Sequence, residues 1–283
     1  MKCLVLAAGY ATRLYPLTEN FPKPLLKVGK KTIIDYLLDD IDKTGKINEY
    51  IIVSNHKFIN YFKEWKDNKK LNSKITIIDD GTTSNDERLG AVADISLAIN
   101  KLKIDEELMV IAGDNILDFS LSDFINYYYE KQSTVVMRYF EENKEKIKKS
   151  ACLVIDSSDL VLNMEEKPVE PKSNWCSPPF YIYSKDALKE VDKAINSGCK
   201  IDAPGSFISY LYDKHSVYAF LMPGSRFDIG TLENYEDICK NLRRWNINEN
   251  SSSRNWLCRS ISCHITKCEK WGYSPWRYRR ESK

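Results

Sequence analysis

Over the first 112 residues the apolar positions alternate between two patterns. Short continuous runs at 2–7 (KCLVLA), 49–54 (EYIIVS), 74–79 (KITIID) and 107–112 (ELMVIA) have the length and β-branched content of buried strands. Between them the period is helical. Thr32 precedes Ile33, Ile34, Leu37, Leu38 and Ile41, an i, i+1, i+4, i+5, i+8 stripe that predicts an amphipathic helix ending near Gly45. Residues 57–69 and 89–102 read as a second and a third helix. Strands separated by helices at this spacing predict crossover connections and a mainly parallel sheet. After a further helix at 121–131 the pattern loosens. Strands are predicted at 133–139, 151–156, 160–165, 180–183 and 217–221, and helices at 185–195, 206–212 and from Leu232 onward.

No linker rich in Pro, Gly or Ser divides residues 1–242, which therefore read as one domain. Residues 243–283 differ. They hold ten Lys/Arg against three Asp/Glu, a net of +7 in a chain whose total is only +2, so the body is mildly acidic. The same tail holds four of the six Trp and three of the eight Cys, irregularly spaced. Cys258, Cys263, His264 and Cys268 lack the short C-x2-C spacing of a zinc hairpin. Trp271, Trp276 and Arg277 would suit base stacking, but nucleic acid is not the expected partner. The tail reads as a basic appendage of unassigned role.

With 43% hydrophobic and 29% charged residues, composition excludes disordered and collagen-like classes. No apolar run approaches the ~20 residues of a membrane span. The opening apolar stretch stops at Gly9, short of a secretory h-region. A cytoplasmic protein with reduced cysteines is the expectation.

Ligands of open parallel sheets sit at the carboxyl ends of strands. The first such loop runs Leu6-Ala7-Ala8-Gly9-Tyr10-Ala11-Thr12-Arg13-Leu14, where small residues let backbone N–H groups approach a phosphate and Arg13 can neutralise it. A dinucleotide fingerprint is absent: Ala11 and Leu14 occupy the second and third glycine positions, and the second strand ends in Ser54-Asn55 without an acidic residue. That disfavours a Rossmann oxidoreductase. In Phe21-Pro22-Lys23-Pro24, two prolines stiffen the backbone around one lysine. Taken singly, Asp114 reads equally well as a turn residue after a buried strand, and Asp228 as a helix cap.

Together these segments resemble the sugar-phosphate nucleotidyltransferases of the glucose-1-phosphate thymidylyl- and uridylyltransferase kind. LAAGYATRLYPLTENFPKPLL follows that family's L-A-[AG]-G-x-G-T-R-L-x-P-L-T…P-K-x-L-L signature, with Ala11 in place of the second glycine. Gly113-Asp114-Asn115, then Glu165-Glu166-Lys167-Pro168 with Pro171-Lys172-Ser173-Asn174, and Phe227-Asp228-Ile229-Gly230-Thr231 follow in the family's order. The resemblance implies a Rossmann-like three-layer α/β sandwich with a mainly parallel mixed central sheet, of the nucleotide-diphospho-sugar transferase type. It also implies a Mg²⁺-dependent reaction that joins an NTP and a sugar-1-phosphate, giving an NDP-sugar and pyrophosphate. A phosphate monoester is already largely dianionic at pH 7, so no general base is required. None of the three histidines falls in a motif.

The roles implied by the resemblance are as follows. Arg13, Lys23 and Asp114 are the catalytic candidates, and Asp114 and Asp228 would hold the metal. The nucleotide would lie against Leu6, Ala8, Gly9, Tyr10, Ala11, Thr12, Gly81, Leu89, Gly90 and Gly113. The acceptor would meet Asn115, Glu165, Glu166, Lys167, Ser177 and Pro178. A pyrimidine nucleotide is the expected co-substrate, and homo-oligomers are common in the family.

Two stretches depart from the pattern. Where the family places a Gln that reads the pyrimidine, this chain has Asp80-Gly81-Thr82-Thr83-Ser84-Asn85 and no Gln. Where a small T-G-x-Y turn approaches the sugar, it has Ser177-Pro178-Pro179-Phe180, bulkier and short of an N–H donor. These leave open an alternative, a cytidylyltransferase using CTP with a small phospho-alcohol, amino-alcohol phosphate or phosphonate.

Overall fold

The structure is a computed structural model and describes the backbone of residues 1–249 and the side chains of residues 1–240. The tail candidates Cys258, Cys263, His264, Cys268, Trp271, Trp276 and Arg277 lie outside the described residues. In chain order the strands are β1 (Lys2–Leu6), β2 (Lys27–Val28), β3 (Lys31–Thr32), β4 (Glu49–Ser54), β5 (Lys74–Asp79), β6 (Leu108–Ala112), β7 (Asn115–Leu117), β8 (Thr134–Phe140), β9 (Ala151–Ile155), β10 (Val161–Glu166), β11 (Trp175–Ser177), β12 (Phe180–Tyr183), β13 (Val217–Leu221) and β14 (Arg226–Asp228). The helices are α1 (Ile33–Asp42), α2 (Ile59–Asn68), α3 (Ala91–Leu102), α4 (Ser122–Lys131), α5 (Lys144–Ile147), α6 (Lys185–Leu188), α7 (Val191–Asn196), α8 (Gly205–Leu211) and α9 (Leu232–Glu249).

The central sheet runs β10-β9-β11-β8-β12-β6-β1-β4-β5, with β13 beside β8. β1 is parallel to β4 and β6, and β4 to β5. β12 then runs antiparallel to both β6 and β8 and joins the two halves. The continuous apolar runs are explained by two covered faces. Cys3 and Val5, Tyr50 and Ile52, and Met109 and Ile111 pack with α1, α2 and α4 on one side. Their sequence neighbours Leu4, Ile51, Val53, Leu108 and Val110 pack with α3, α7 and α8 on the other. Successive strand residues point to opposite faces, so both must be apolar. The result is the expected three-layer α/β sandwich.

β8 is where the sheet forks. Val135 and Val136 pair with β12, whereas Tyr139 and Phe140 pair with β11. Pro178-Pro179 lies between those two partners. Proline has no N–H to lose, so the ladder can break there without stranding a donor.

The predicted strands and helices match to within two residues at most ends. One exception is 185–195, which folds as two helices: a bond from Glu190 N–H to Ala187 O tightens the chain between α6 and α7. The strands β2, β3, β7, β11 and β14 have only two or three residues, too few to display a period. α9 passes through residues 242 and 243, where the composition changes, without a break.

Candidate active site

A cleft of about 630 Å³ opens over the carboxyl ends of β1 and β6. Its centre is the loop after β1. Asn55, fully buried at the end of β4, donates its Nδ2 to Ala8 O at 2.9 Å and accepts Phe58 N–H at 2.9 Å, which ties the loop to the neighbouring strand. Ala11 adopts φ 48, ψ 42, the left-handed region, and its carbonyl accepts Thr18 Oγ1 at 2.8 Å and Leu14 N–H at 2.9 Å. This is the position where the resembled signature has glycine. An L-residue there carries about 1–2 kcal/mol of steric cost. Leu14, at the failed third glycine, is buried in a small core with Leu26, Ile116 and Ile229. The loop thus presents Leu6, Ala8, Gly9, Tyr10, Ala11, Thr12 and Arg13 to the cleft.

Charged groups converge beside it. Lys23, only 7% exposed in its short turn between Pro22 and Pro24, donates to Asp114 Oδ2 at 2.8 Å. Asp114 Oδ1 accepts from the fully buried Asn115 Nδ2 at 2.7 Å, and Asn115 Oδ1 accepts Arg226 Nη1 at 2.7 Å. Asn115 is therefore a brace behind the cleft and not part of its wall. Backbone pairing brings the second aspartate in: Asp228 on β14 lies opposite Asn115 on β7, and Ile229 N–H bonds to Asp114 O at 3.2 Å. A Cβ placed on Gly230 would lie 3.6 Å from Asp228 Oδ1 and 3.9 Å from Arg13 Nη2, so this carboxylate and guanidinium flank the same small residue. The turn bearing Asp114 is held from both halves of the sheet, Ala112 N–H donating to Pro179 O at 3.2 Å and Gly113 N–H to Leu6 O at 3.1 Å. Gly113 itself is packed beneath the cleft, where a Cβ would meet Val5 at 3.0 Å and Pro24 at 3.4 Å.

Asp114 and Asp228 supply only oxygen donors, and no group of three or more His, Cys, Asp or Glu suited to a metal occurs among the described residues. Two carboxylates lining one cleft, which leave the remaining positions to water and phosphate oxygens, fit Mg²⁺ and fit zinc poorly.

One end of the cleft is built from β1, β5 and α3. Tyr10, Asp80, Arg88, Leu89, Gly90 and Asp94 line it. Gly90 has φ 95, and a Cβ would lie 2.6 Å from Ile201 O, so only glycine fits there. Gly81 turns the chain at φ 82 but lies outside the wall. Burial, reinforced by the Asp80 charge, pushes the Asp94 carboxyl up to about 8. Burial also raises Asp80, against the hydrogen bonds it accepts from Thr82.

The other end is built from β9 to β12 and the start of α8. Glu166, Ser177 and Pro178 line it, with Tyr139, Lys149 and Pro179. Strand alternation separates the glutamates: Glu166 faces the cleft, whereas Glu165 and Lys167 are exposed and lie outside its wall. Burial raises the Glu166 carboxyl, while the neighbouring Lys167 charge and the Gly205 N–H act to lower it. Ser177 Oγ is already engaged with Met137 O at 2.9 Å.

Sequence reasoning missed Asp80, Asp94, Tyr139, Lys149 and Arg226. Only Arg226 had a legible signal, two residues before Asp228 and so on the same face of a strand. The others become neighbours only when β5, β8 and β9 are placed.

The profile of the nucleotidyl transferase family matches residues 2–244. The chain belongs to the nucleotidyl transferase family. A glucose-1-phosphate adenylyltransferase of Fervidobacterium nodosum is 27% identical over 244 residues, 82% of this chain and 59% of the relative. One of Bacillus mycoides is 26% identical over 276 residues, 92% of this chain and 73% of the relative. The bifunctional protein GlmU of Methanococcus aeolicus is 32% identical over 256 residues, covering 81% and 56%. This chain thus spans from about half to three quarters of these relatives. A UDP-glucose pyrophosphorylase solved with UDP-glucose superposes with a TM-score of 0.73 at 20% identity, over 86% of this chain and 98% of that one. At that identity the likeness establishes the nucleotidyltransferase fold. No helix among the described residues is long and apolar enough to cross a membrane.

Proposed function

We propose that this chain joins an NTP to a sugar-1-phosphate and releases pyrophosphate, with Arg13, Lys23, Asp114 and Asp228 as its working groups. The observation that carries this reading is that Arg13, Asp114 and Asp228 line one cleft beside a small-residue loop able to approach phosphates, with Lys23 bonded to Asp114 from behind that wall. The acceptor phosphate, already a dianion, attacks the α-phosphorus in line, so the protein must align two anions and screen their repulsion. Lys23 is preset for this by its buried turn. Arg13, more exposed, receives the leaving pyrophosphate. Asp114 and Asp228 would hold Mg²⁺, which supplies charge neutralisation and a template for the phosphate oxygens. Glu166 accepts a hydroxyl of the acceptor at the far end. The reaction would take place in the cytoplasm, with a pyrimidine nucleotide as the expected donor and the chain working as a homo-oligomer.

Pro178 and Pro179, which line the acceptor end where the family has a small turn, favour one further reading: CTP with a small phospho-alcohol, amino-alcohol phosphate or phosphonate. A pyrophosphate-release screen of ATP, CTP, GTP, UTP and dTTP against sugar-1-phosphates, phosphocholine, phosphoethanolamine and phosphonates separates the two. Release with a sugar-1-phosphate is expected, and release with CTP and a non-sugar alone would replace the first reading by the second. Lys23→Ala and Asp114→Asn should each lower turnover by about 10²-fold or more with the fold intact. Full activity in both would overturn the mechanism.

A further inference from the structure

The wall formed by β5 and α3 holds an acidic pair that the transfer chemistry does not use. Asp94 stands in the first turn of α3, lines the cleft and is only 5% exposed. Its Oδ1 has no hydrogen-bond partner. Asp80, at the end of β5, also lines the cleft. Its Oδ1 accepts both Thr82 N–H at 2.7 Å and Thr82 Oγ1 at 2.8 Å, while its Oδ2 is buried without a partner. Tyr10 O–H, the nearest donor on the loop side, is already given to Thr82 Oγ1 at 3.3 Å. Among the described residues no cation pairs with either carboxyl: Arg88 is bound to Asp202 at 3.1 Å and to the Asn85 carbonyl at 3.2 Å.

Buried carboxyl oxygens without partners are costly, and a native structure that keeps two in one cleft wall needs donors from elsewhere. Repulsion between two nearby carboxylates favours one protonated and one ionised group, and Asp80, whose Oδ1 already accepts two bonds from Thr82, is the acceptor of the two. We infer that Asp80 and Asp94 select an NTP whose base carries an exocyclic amino group, and discriminate against bases that place a carbonyl at that position. An amino group offers two N–H donors to this wall. The carbonyl of uracil or thymine would turn a lone pair toward an acceptor and leave a buried oxygen unpaired. The assignment of this end to the base rests on the proposed reaction, in which Arg13 and Asp114 hold the phosphates at the centre and Glu166 lies at the acceptor end.

Calorimetric titration of the full chain with CTP against UTP, and with ATP against ITP, compares the amino and oxo edges within each ring size, the adjacent ring nitrogen changing from acceptor to donor in both pairs. The amino member of at least one pair should bind about 30-fold tighter or more, since a mismatch strands a buried polar group. In Asp80→Asn and Asp94→Asn, which place an amide in the wall, that ratio should fall to about threefold or less. Amino preference in binding without any pyrophosphate release would uphold the inference while overturning the transfer reaction. Pyrophosphate release with UTP or dTTP preferred, or a ratio unchanged in both variants, would overturn the inference alone. Failure of every NTP to bind would overturn both.

Discussion

Ala11 shows how one residue can follow a signature's geometry while breaking its letters. The backbone takes the left-handed conformation that the family's glycine allows, and pays for it with the Cβ clash. Ala11→Gly should therefore raise stability by up to about 1 kcal/mol, the relieved strain being partly offset by the entropy of a more flexible unfolded chain. Chemical denaturation measures this directly, and a loss of stability would show that the methyl group packs favourably. Asp94 makes a prediction of opposite character. Its folded-state carboxyl is raised from 3.8 to about 8, so the folded protein holds a proton that the unfolded chain releases. Stability is then full below the ordinary carboxylate range and declines as pH rises from about 4 to 8. Asp94→Asn removes that dependence. Its melting temperature relative to the parent chain should climb between pH 5 and pH 8, and a constant difference would refute the buried titration.

At the scale of elements, the start of α8 abuts the side chain of Glu166. A Cβ on Gly205 would lie 2.1 Å from Glu166 Oε1 and 2.6 Å from Met164 Cε. Gly205→Ala must displace Glu166 from the cleft wall. Both clashing atoms end flexible side chains, so stability should fall by no more than about 1 kcal/mol, while the acceptor KM rises more than the NTP KM. Equal effects on both would argue that Glu166 does not meet the acceptor. The element scale also shows what a sequence can and cannot reveal. β1, β4 and β6 were legible because both faces of each are buried, which writes an unbroken apolar run. β7 and β14 left no such trace. They are three residues long and set by pairing, yet that pairing brings Asp228 beside Asp114. Arg13, Lys23, Asp114 and Asp228 stand in legible motifs; Arg13, Asp114 and Asp228 line the cleft, and Lys23 bonds to Asp114 from behind its wall. Asp80 and Asp94 were not legible, since an aspartate beside a turn and another in a helix carry no mark of sharing a cleft wall.

At the scale of the whole molecule, every cleft-lining residue among the described residues lies between Leu6 and Asp228, within the acidic body of the chain. A chain ending at Glu249 should retain full pyrophosphate release, and loss of turnover with the fold intact would assign the basic residues beyond it a role in the reaction. The turn that bears Asp114 has a different consequence. Its two amides donate outward in opposite directions, Gly113 to β1 and Ala112 to Pro179 across the fork of the sheet. In hydrogen–deuterium exchange these neighbouring amides should therefore become protected and deprotected together, at the rate of the slowest global opening. The corner that carries Asp114 then has no local breathing mode of its own, and the two half-sheets must part before it can move.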